Sequence, residues 1–294
     1  MASMGFSLQL LFTGIGVGSI YALVALGFVL IYRATNVVNF AQGDFAMLGA
    51  FAMIVLAVDL GWPYWLSILI TLAALMVFGV LFNLGVYYPL RKRGFLPVII
   101  STIGASILIE NSVLVAYGPA PQSLPGLFES QGFNISDVFF DNQYLLILAV
   151  AIALVTLQYL FFERTLIGKK LQATSQDKEM ASLLGIPVAM MIMLTFVYSA
   201  VLGGIAGILV APVLFVSVGM ASSIALKAFA ASIIGGFGDV TGAIVGGVAL
   251  GVIETFGAAY VSVSYKDGFA FLVLFVFLLF RPQGIFGERV AEKA

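Results

Sequence analysis

Residues 18–51 read GSIYALVALGFVLIYRATNVVNFAQGDFAMLGAF. Between Tyr21 and Ile31 no side chain carries a charge. Then Arg33, Asn36, Asn39, Gln42 and Asp44 follow within a few positions, before apolar residues resume as far as Leu60. One helix end can use a single side-chain cap, so Asn36, Asn39 and Gln42 cannot all be caps. Some of them must line a cavity or satisfy the free backbone groups of a broken helix. Asp44 has two readings: N-cap of the second apolar segment, or a group facing a water-filled path. The second avoids a cost of roughly 2.5–3.5 kcal/mol for an uncompensated carboxylate at a bilayer centre. Polar groups set between apolar runs are read here as part of a route through a membrane.

The whole chain supports a membrane setting. Of its 294 residues 62% are hydrophobic and only 9% charged, with a mean hydropathy of +1.14. That charge density is far below the roughly one quarter typical of soluble domains, so too few charges remain to cover a water-facing surface. Runs at 8–31, 66–88, 144–162 and 189–217 reach the roughly 20 apolar residues that span hydrocarbon as a helix. They lack the two-residue alternation of a transmembrane barrel. With a net charge of −1 there is no basic face for nucleic acid. No Cys and no His are present, which removes thiolate chemistry, the usual soft metal ligands and the commonest general base. The N-terminal MASMGFSLQ has no basic residue before Arg33, so the first run reads as a retained span rather than a signal peptide.

Positive charges orient the chain. Arg91, Lys92 and Arg93, then Arg164, Lys169 and Lys170, then Arg281, Arg289 and Lys293, are placed in the cytoplasm. The stretch 118–143 holds Glu129, Asp137 and Asp141 without a base and is placed outside. Threading spans between these sides puts the N-terminus outside and the C-terminus in the cytoplasm. Spans are read at 8–31, 43–60, 66–88, 96–116, 144–162, 189–217, 224–234, 243–261 and 269–280. The short pieces 43–60 and 224–234 are the candidates for broken or re-entrant helices. The expectation is one all-α, polytopic membrane domain over 1–294, with eight to nine transmembrane helices. Gly242, Gly246, Gly247 and Gly251 recur at three- and four-residue steps suited to close helix packing. Gly235-Gly236, beside Asp239, suits a helix break. Asp239 is counted among the intramembrane polar residues with Glu110, Lys227 and Glu254, the last three of which fall within apolar runs. Each of those three is read either as part of a buried ion pair or interhelical hydrogen bond, or as an ion site.

A second polar stretch, ERTLIGKKLQATSQDKEMASLLGIP (163–187), lies between two clear spans. Leu166, Ile167, Leu171, Met180, Leu183 and Leu184 give a short amphipathic helical pattern, and Gly185 followed by Pro187 ends it. Such a helix either docks on a soluble partner or lies on the lipid surface.

The stretch at 18–51, together with QATSQDKEMASLLGIP (172–187), YGPAPQSLPG (117–126) and GGFGDVTGAIVGG (235–247), resembles the permeases of the branched-chain amino-acid ABC importers, the LivH type. The loop at 163–187 is also similar to the ABC-importer coupling pattern: Glu179, Ala181 and Gly185 match it, and Met180 stands where that pattern has a first Ala. The resemblance implies an ABC-importer permease fold in the bacterial inner membrane, with no enzymatic activity of its own. It implies a second, related permease subunit, two cytoplasmic ATPase subunits and a periplasmic binding protein that delivers substrate. ATP and Mg would be bound by the ATPases, so no cofactor or metal is expected in this chain. Consistent with that, Gly168-Lys169 lacks the upstream Gly and following Ser/Thr of a phosphate-binding loop. Coupling to the ATPases is expected through Gly168, Asp177, Glu179, Ala181 and Gly185. The cargo implied is a zwitterion with an apolar side chain. Asn36, Asn39, Gln42 and Asp44 are then candidates for its charged ends, and Phe40 and Phe45 for its aliphatic part. Same-family carriers of urea or short amides are an alternative. So, from another class, is an ion-coupled transporter using Glu110 and Glu254.

Overall fold

The computed structural model describes residues 2–127, 132–135, 138–281 and 283–287. Glu129, Asp137, Arg289 and Lys293, used above to orient the chain, lie outside the described residues. The apolar runs fold as helices: α1 (Ala2–Thr35), α2 (Gln42–Met53), α3 (Tyr64–Phe82), α4 (Phe95–Tyr117) and α5 (Asn142–Arg164). After two short helices, α6 (Leu166–Gln176) and α7 (Lys178–Leu183), come α8 (Val188–Val210), α9 (Met220–Gly235), α10 (Val240–Tyr260) and α11 (Lys266–Phe280). Seven of these, some prolonged by a final wide turn, are long and apolar enough to cross a membrane. α9 and α11 are shorter, at 16 and 15 residues. The wide turns at Ile54–Asp59 and Asn83–Tyr87 extend α2 and α3 with bonds five residues apart, such as Tyr88 N–H to Asn83 O at 2.8 Å.

Every residue from 16 to 31 is buried, so α1 is the axis of the bundle. Its partner is α10, and the contact is backbone to backbone. A Cβ on Gly18 would lie 2.7 Å from the Val248 Cα, and one on Gly14 would lie 2.8 Å from the Val252 Cα. Gly247 and Gly251 meet Ala22 and Gly18 from the other side. In lipid, where apolar surface gives no drive to associate, close van der Waals packing of this kind holds helices together. Gly18→Val is therefore expected to cost about 3 kcal/mol or more by overpacking, seen as loss of the monodisperse peak in size-exclusion chromatography.

The predicted run 189–217 divides. α8 stops at Val210, and Val216 then pairs with Gln122 in an isolated antiparallel bridge. The stretch 118–143 also carries a two-stranded hairpin, Gly132–Ile135 with Val138–Asp141. Hairpin strands need only four residues each, too few to show a period in sequence. Asp141 then caps α5, accepting from Gln143 N–H at 2.7 Å.

These contacts sort the loops into two ends. At one end, Phe140 and Tyr144 lie against Phe12 of α1, and the turn after α8 joins 118–127. At the other end, Arg33 donates through Nε to the Gly238 carbonyl at 2.5 Å, and the Ile285 and Phe286 amides donate to Ile234 and Gly235. That second end also holds α6 and α7. The doublet Gly235-Gly236 breaks the chain there as expected, with Gly236 at φ 114°, a conformation that favours glycine.

Candidate functional site

The polar segment after α1 turns back into the bundle. Thr35 is the last helical residue. Asn36 takes the left-handed conformation, φ 61°, and its N–H reaches the Tyr32 carbonyl at 2.7 Å. Asn tolerates that conformation better than other non-glycine residues, which explains its use as the helix stop. The chain then runs irregularly to α2, whose first residues Gln42, Gly43 and Asp44 are buried. Gln42 sits against Gly27, eight residues before the end of α1, which places the start of α2 about 12 Å inside that end. Irregular backbone at membrane depth must be satisfied within the protein, and side chains here take three of its amides. Ala41 N–H donates to Asn39 Oδ1 at 3.1 Å, Phe40 N–H to Thr102 Oγ1 at 3.3 Å, and Val37 N–H to Thr35 Oγ1 at 3.1 Å. Gln42 is locked between helices: its Oε1 accepts from Ser199 Oγ at 2.7 Å, and its Nε2 donates to the Ser199 carbonyl at 3.3 Å.

Two groups in this segment have no partner. Asn39 Nδ2 and both carboxylate oxygens of Asp44 are buried without a hydrogen bond. Asp44 is 1% exposed, and Ser106 and Glu110 of α4 stand beside it. Its oxygens cap no backbone N–H, so the N-cap reading of Asp44 fails. The position of α2's cap belongs to Ala41, which makes no side-chain bond. Thr102, Ser106 and Glu110 recur every four residues, a spacing visible in the sequence, and form a polar stripe on α4 that faces this segment. Asn36 is exposed and lies apart from Asn39, Gln42 and Asp44. Phe40 is 39% exposed and near Phe229. Phe45 is different: its ring is fully buried edge-on to Phe78 and Phe82, so within this chain it is core rather than lining.

The polar groups of the later spans form two separate arrangements. Lys227 of α9 donates to Glu254 Oε1 of α10 at 2.7 Å and reaches Asp267 of α11 at 2.6 Å. Lys266 lies 3.5 Å from the same Glu254 oxygen, and the Tyr21 hydroxyl is 3.4 Å from the Lys227 Nζ. Glu254 and Lys227 are thus a buried ion pair tying α1, α9, α10 and α11 together. Lys266 and Asp267 precede the predicted run 269–280, which hid their part in it. Asp239 stands apart from that pair: its side chain is a third exposed, and it caps α10, accepting from Gly242 N–H at 2.6 Å, with Arg33 4.0 Å away.

The loop 163–187 is two helices rather than one. Asp177 ends α6 and caps α7, its Oδ1 accepting from the amides of Glu179 and Met180, each at 2.9 Å. A side chain that bonds nearby backbone this way competes with a continuous helix. Thr165 caps α6 through Gly168 N–H at 2.9 Å. Gly168 itself lets α6 fold against α5, since a Cβ there would lie 2.6 Å from the Phe162 Cα. Ala181 is buried, while Met180, Leu183 and Leu184 are 54%, 81% and 72% exposed. The bulk at position 180 therefore points outward and crowds nothing. Gly185 follows at φ 77°, and Glu179 is exposed. Partial burial pushes the Lys178 ammonium below its ordinary range. Asp177→Ala is expected to cost about 1 kcal/mol of α7, raising amide exchange there about fivefold, as hydrogen exchange with mass spectrometry would read.

Likeness to known proteins runs over nearly the whole chain. The family model described as branched-chain amino acid transport system / permease component matches residues 10–278. The chain belongs to this family. The permease is 32% identical to the high-affinity branched-chain amino acid transport system permease protein LivH of Escherichia coli K12, with 97% of each chain covered. It is 36% identical to the corresponding protein BraD of Pseudomonas aeruginosa, again with 97% of each chain covered. It is 26% identical to a probable LivH of Methanocaldococcus jannaschii, over 92% of this chain and 89% of that one. Among solved structures, PsaBC from Streptococcus pneumoniae in complex with Fab is similar in fold, with a TM-score of 0.53 at 16% identity, over 94% of this chain and 92% of that chain. The permease is a multi-pass membrane protein and a transport subunit, not an enzyme.

Proposed function

We propose that this permease carries branched-chain amino acids inward as one half of an ABC importer, paired with a second permease. Two cytoplasmic ATPases hold ATP and Mg and drive the pair, and a periplasmic protein supplies the amino acid. The end bearing Arg33, α6 and α7 faces the cytoplasm, and the end bearing 118–143 and the N-terminus faces out. The observation that carries this reading is the α6–α7 pair. Met180, Leu183 and Leu184 stand exposed on a capped helix outside the bundle, a knob suited to a groove on a soluble partner. Gly168 packs α6 against α5 and α7 packs on α6, so force on α7 passes through α6 into the bundle.

The pathway reading places the amino acid's charged ends at Asn39, Gln42 and Asp44. The buried, unpartnered carboxylate of Asp44 suits the substrate ammonium, and Phe40 offers an apolar face. Closure of the ATPases on ATP would shift α6 and α7 and open the bundle to one side at a time. Binding here must be weak, since the substrate has to leave.

The test is ATP-dependent uptake of labelled leucine by vesicles holding the intact complex, with its binding protein outside. Leucine uptake that isoleucine and valine compete away, and that falls at least tenfold in Asp44→Asn, is the expected result. Uptake of urea or a short amide with no competition by leucine would overturn the substrate assignment.

A further inference from the structure

We propose that a cleft of about 920 Å³ at the Arg33 end of the bundle is a binding site for one phospholipid with a zwitterionic, ammonium-bearing headgroup. The cleft separates α1 and α10 from α5 and α6, and it lies apart from the polar segment at α2. Three features define its occupant. Gln158 of α5 is 3% exposed and lines the cleft, yet neither its Nε2 nor its Oε1 has a hydrogen-bond partner. An amide left bare within a membrane span carries a desolvation cost of about 1–3 kcal/mol unless something in the cleft answers it. Apolar Val155, Phe162 and Ile244 share its walls with polar side chains, Thr156, Thr195 and Thr241 among them. The rim brings together the Arg33 guanidinium and the Asp239 carboxylate, 4.0 Å apart and both partly exposed. That spacing is too long for a direct hydrogen bond, so both groups keep capacity for an anion and an ammonium side by side.

Depth separates a lipid from a soluble solute. Gln158 is six residues before the end of α5, about 9 Å inside it, near the level where hydrocarbon gives way to headgroup. The flank of the cleft is open to the side, where Tyr159 is 66% exposed on α5. An ester carbonyl can take the Gln158 N–H, a phosphate the Arg33 guanidinium, and an ammonium the Asp239 carboxylate. A choline headgroup has no N–H to give Asp239, and a glycerol headgroup has no cation. Seated there, the lipid fills the gap between the coupling helices and the central helix, so it governs how far movement of α6 reaches α1.

The test uses the intact transporter in nanodiscs of dioleoyl-phosphatidylethanolamine, -phosphatidylcholine or -phosphatidylglycerol, with retained lipid read by native mass spectrometry. Wild type is expected to keep phosphatidylethanolamine in preference to the other two. Gln158→Leu, nearly equal in size, and Arg33→Gln are each expected to lower that retention about tenfold, with ATPase subunits still bound. Equal retention of all three lipids, or unchanged retention in both variants, overturns the proposal. A benzoylphenylalanine photo-crosslinker at Tyr159 gives an independent reading. Capture of lipid supports the site; capture of another polypeptide, or loss of lipid capture on adding millimolar leucine, overturns it.

Discussion

Lys227→Met is expected to destabilise the folded permease by about 3–5 kcal/mol, the typical effect of removing one partner of a buried ion pair. The loss comes less from the missing attraction than from what remains: Glu254, fully buried, with Oε1 deprived of its 2.7 Å partner and Oε2 already without one. Lys266, 3.5 Å away and partly exposed, is too loosely placed to replace Lys227. Asp267→Asn should matter far less, because that carboxylate is 68% exposed and water can take over its solvation. The double variant Lys227→Met with Glu254→Gln is expected to recover part of the loss, since no bare charge is left in the bundle. Thermal unfolding in detergent, followed by fluorescence-detected size exclusion, orders the four proteins. A Lys227→Met variant as stable as wild type would show the pair to be unimportant to the fold.

Leu183→Asp combined with Leu184→Asp is expected to lower ATP-driven uptake at least tenfold, equivalent to about 1.4 kcal/mol or more of lost docking energy. The same change should leave the permease folded. Both side chains are more than two-thirds exposed, so nothing inside the chain loses a contact, and the caps at Thr165 and Asp177 that shape α6 and α7 are untouched. An apolar knob that a partner buries is the usual place for a few residues to carry most of an interface's energy, and a buried carboxylate there is costly. Stability by thermal unfolding and uptake in vesicles should separate cleanly: the first unchanged, the second lost. Loss of both together would mean that the helix serves the permease's own fold.

Much of this architecture is legible in the sequence because lipid enforces a simple rule: a crossing segment must be long, apolar and internally hydrogen-bonded. The runs at 8–31, 66–88, 96–116 and 144–162 become α1, α3, α4 and α5, with changes only at their ends. The polar break at 33–44 is equally visible, since no single helix end needs that many side chains. What the sequence hides is three-dimensional pairing. Nothing local says that Gln42 meets Ser199, 157 positions away, or that Lys227 meets Asp267 as well as Glu254. Nor does apolarity separate Phe45, sealed in an aromatic cluster, from Phe40, partly exposed five residues earlier. Asp177 shows a subtler limit. The amphipathic stripe continues through it, so periodicity joins two helices that its side chain divides.

The reading as a whole depends on separate ATPase subunits grasping α7. The most direct measurement is to purify the tagged chain from its native membrane, beside the Leu183→Asp, Leu184→Asp variant, and quantify every associated polypeptide. Two ATPase chains for each permease pair with the wild type, and none with the variant, is the expected result. A chain that purifies without an ATPase, and that moves solute down an ion gradient regardless of residues 183 and 184, would contradict it.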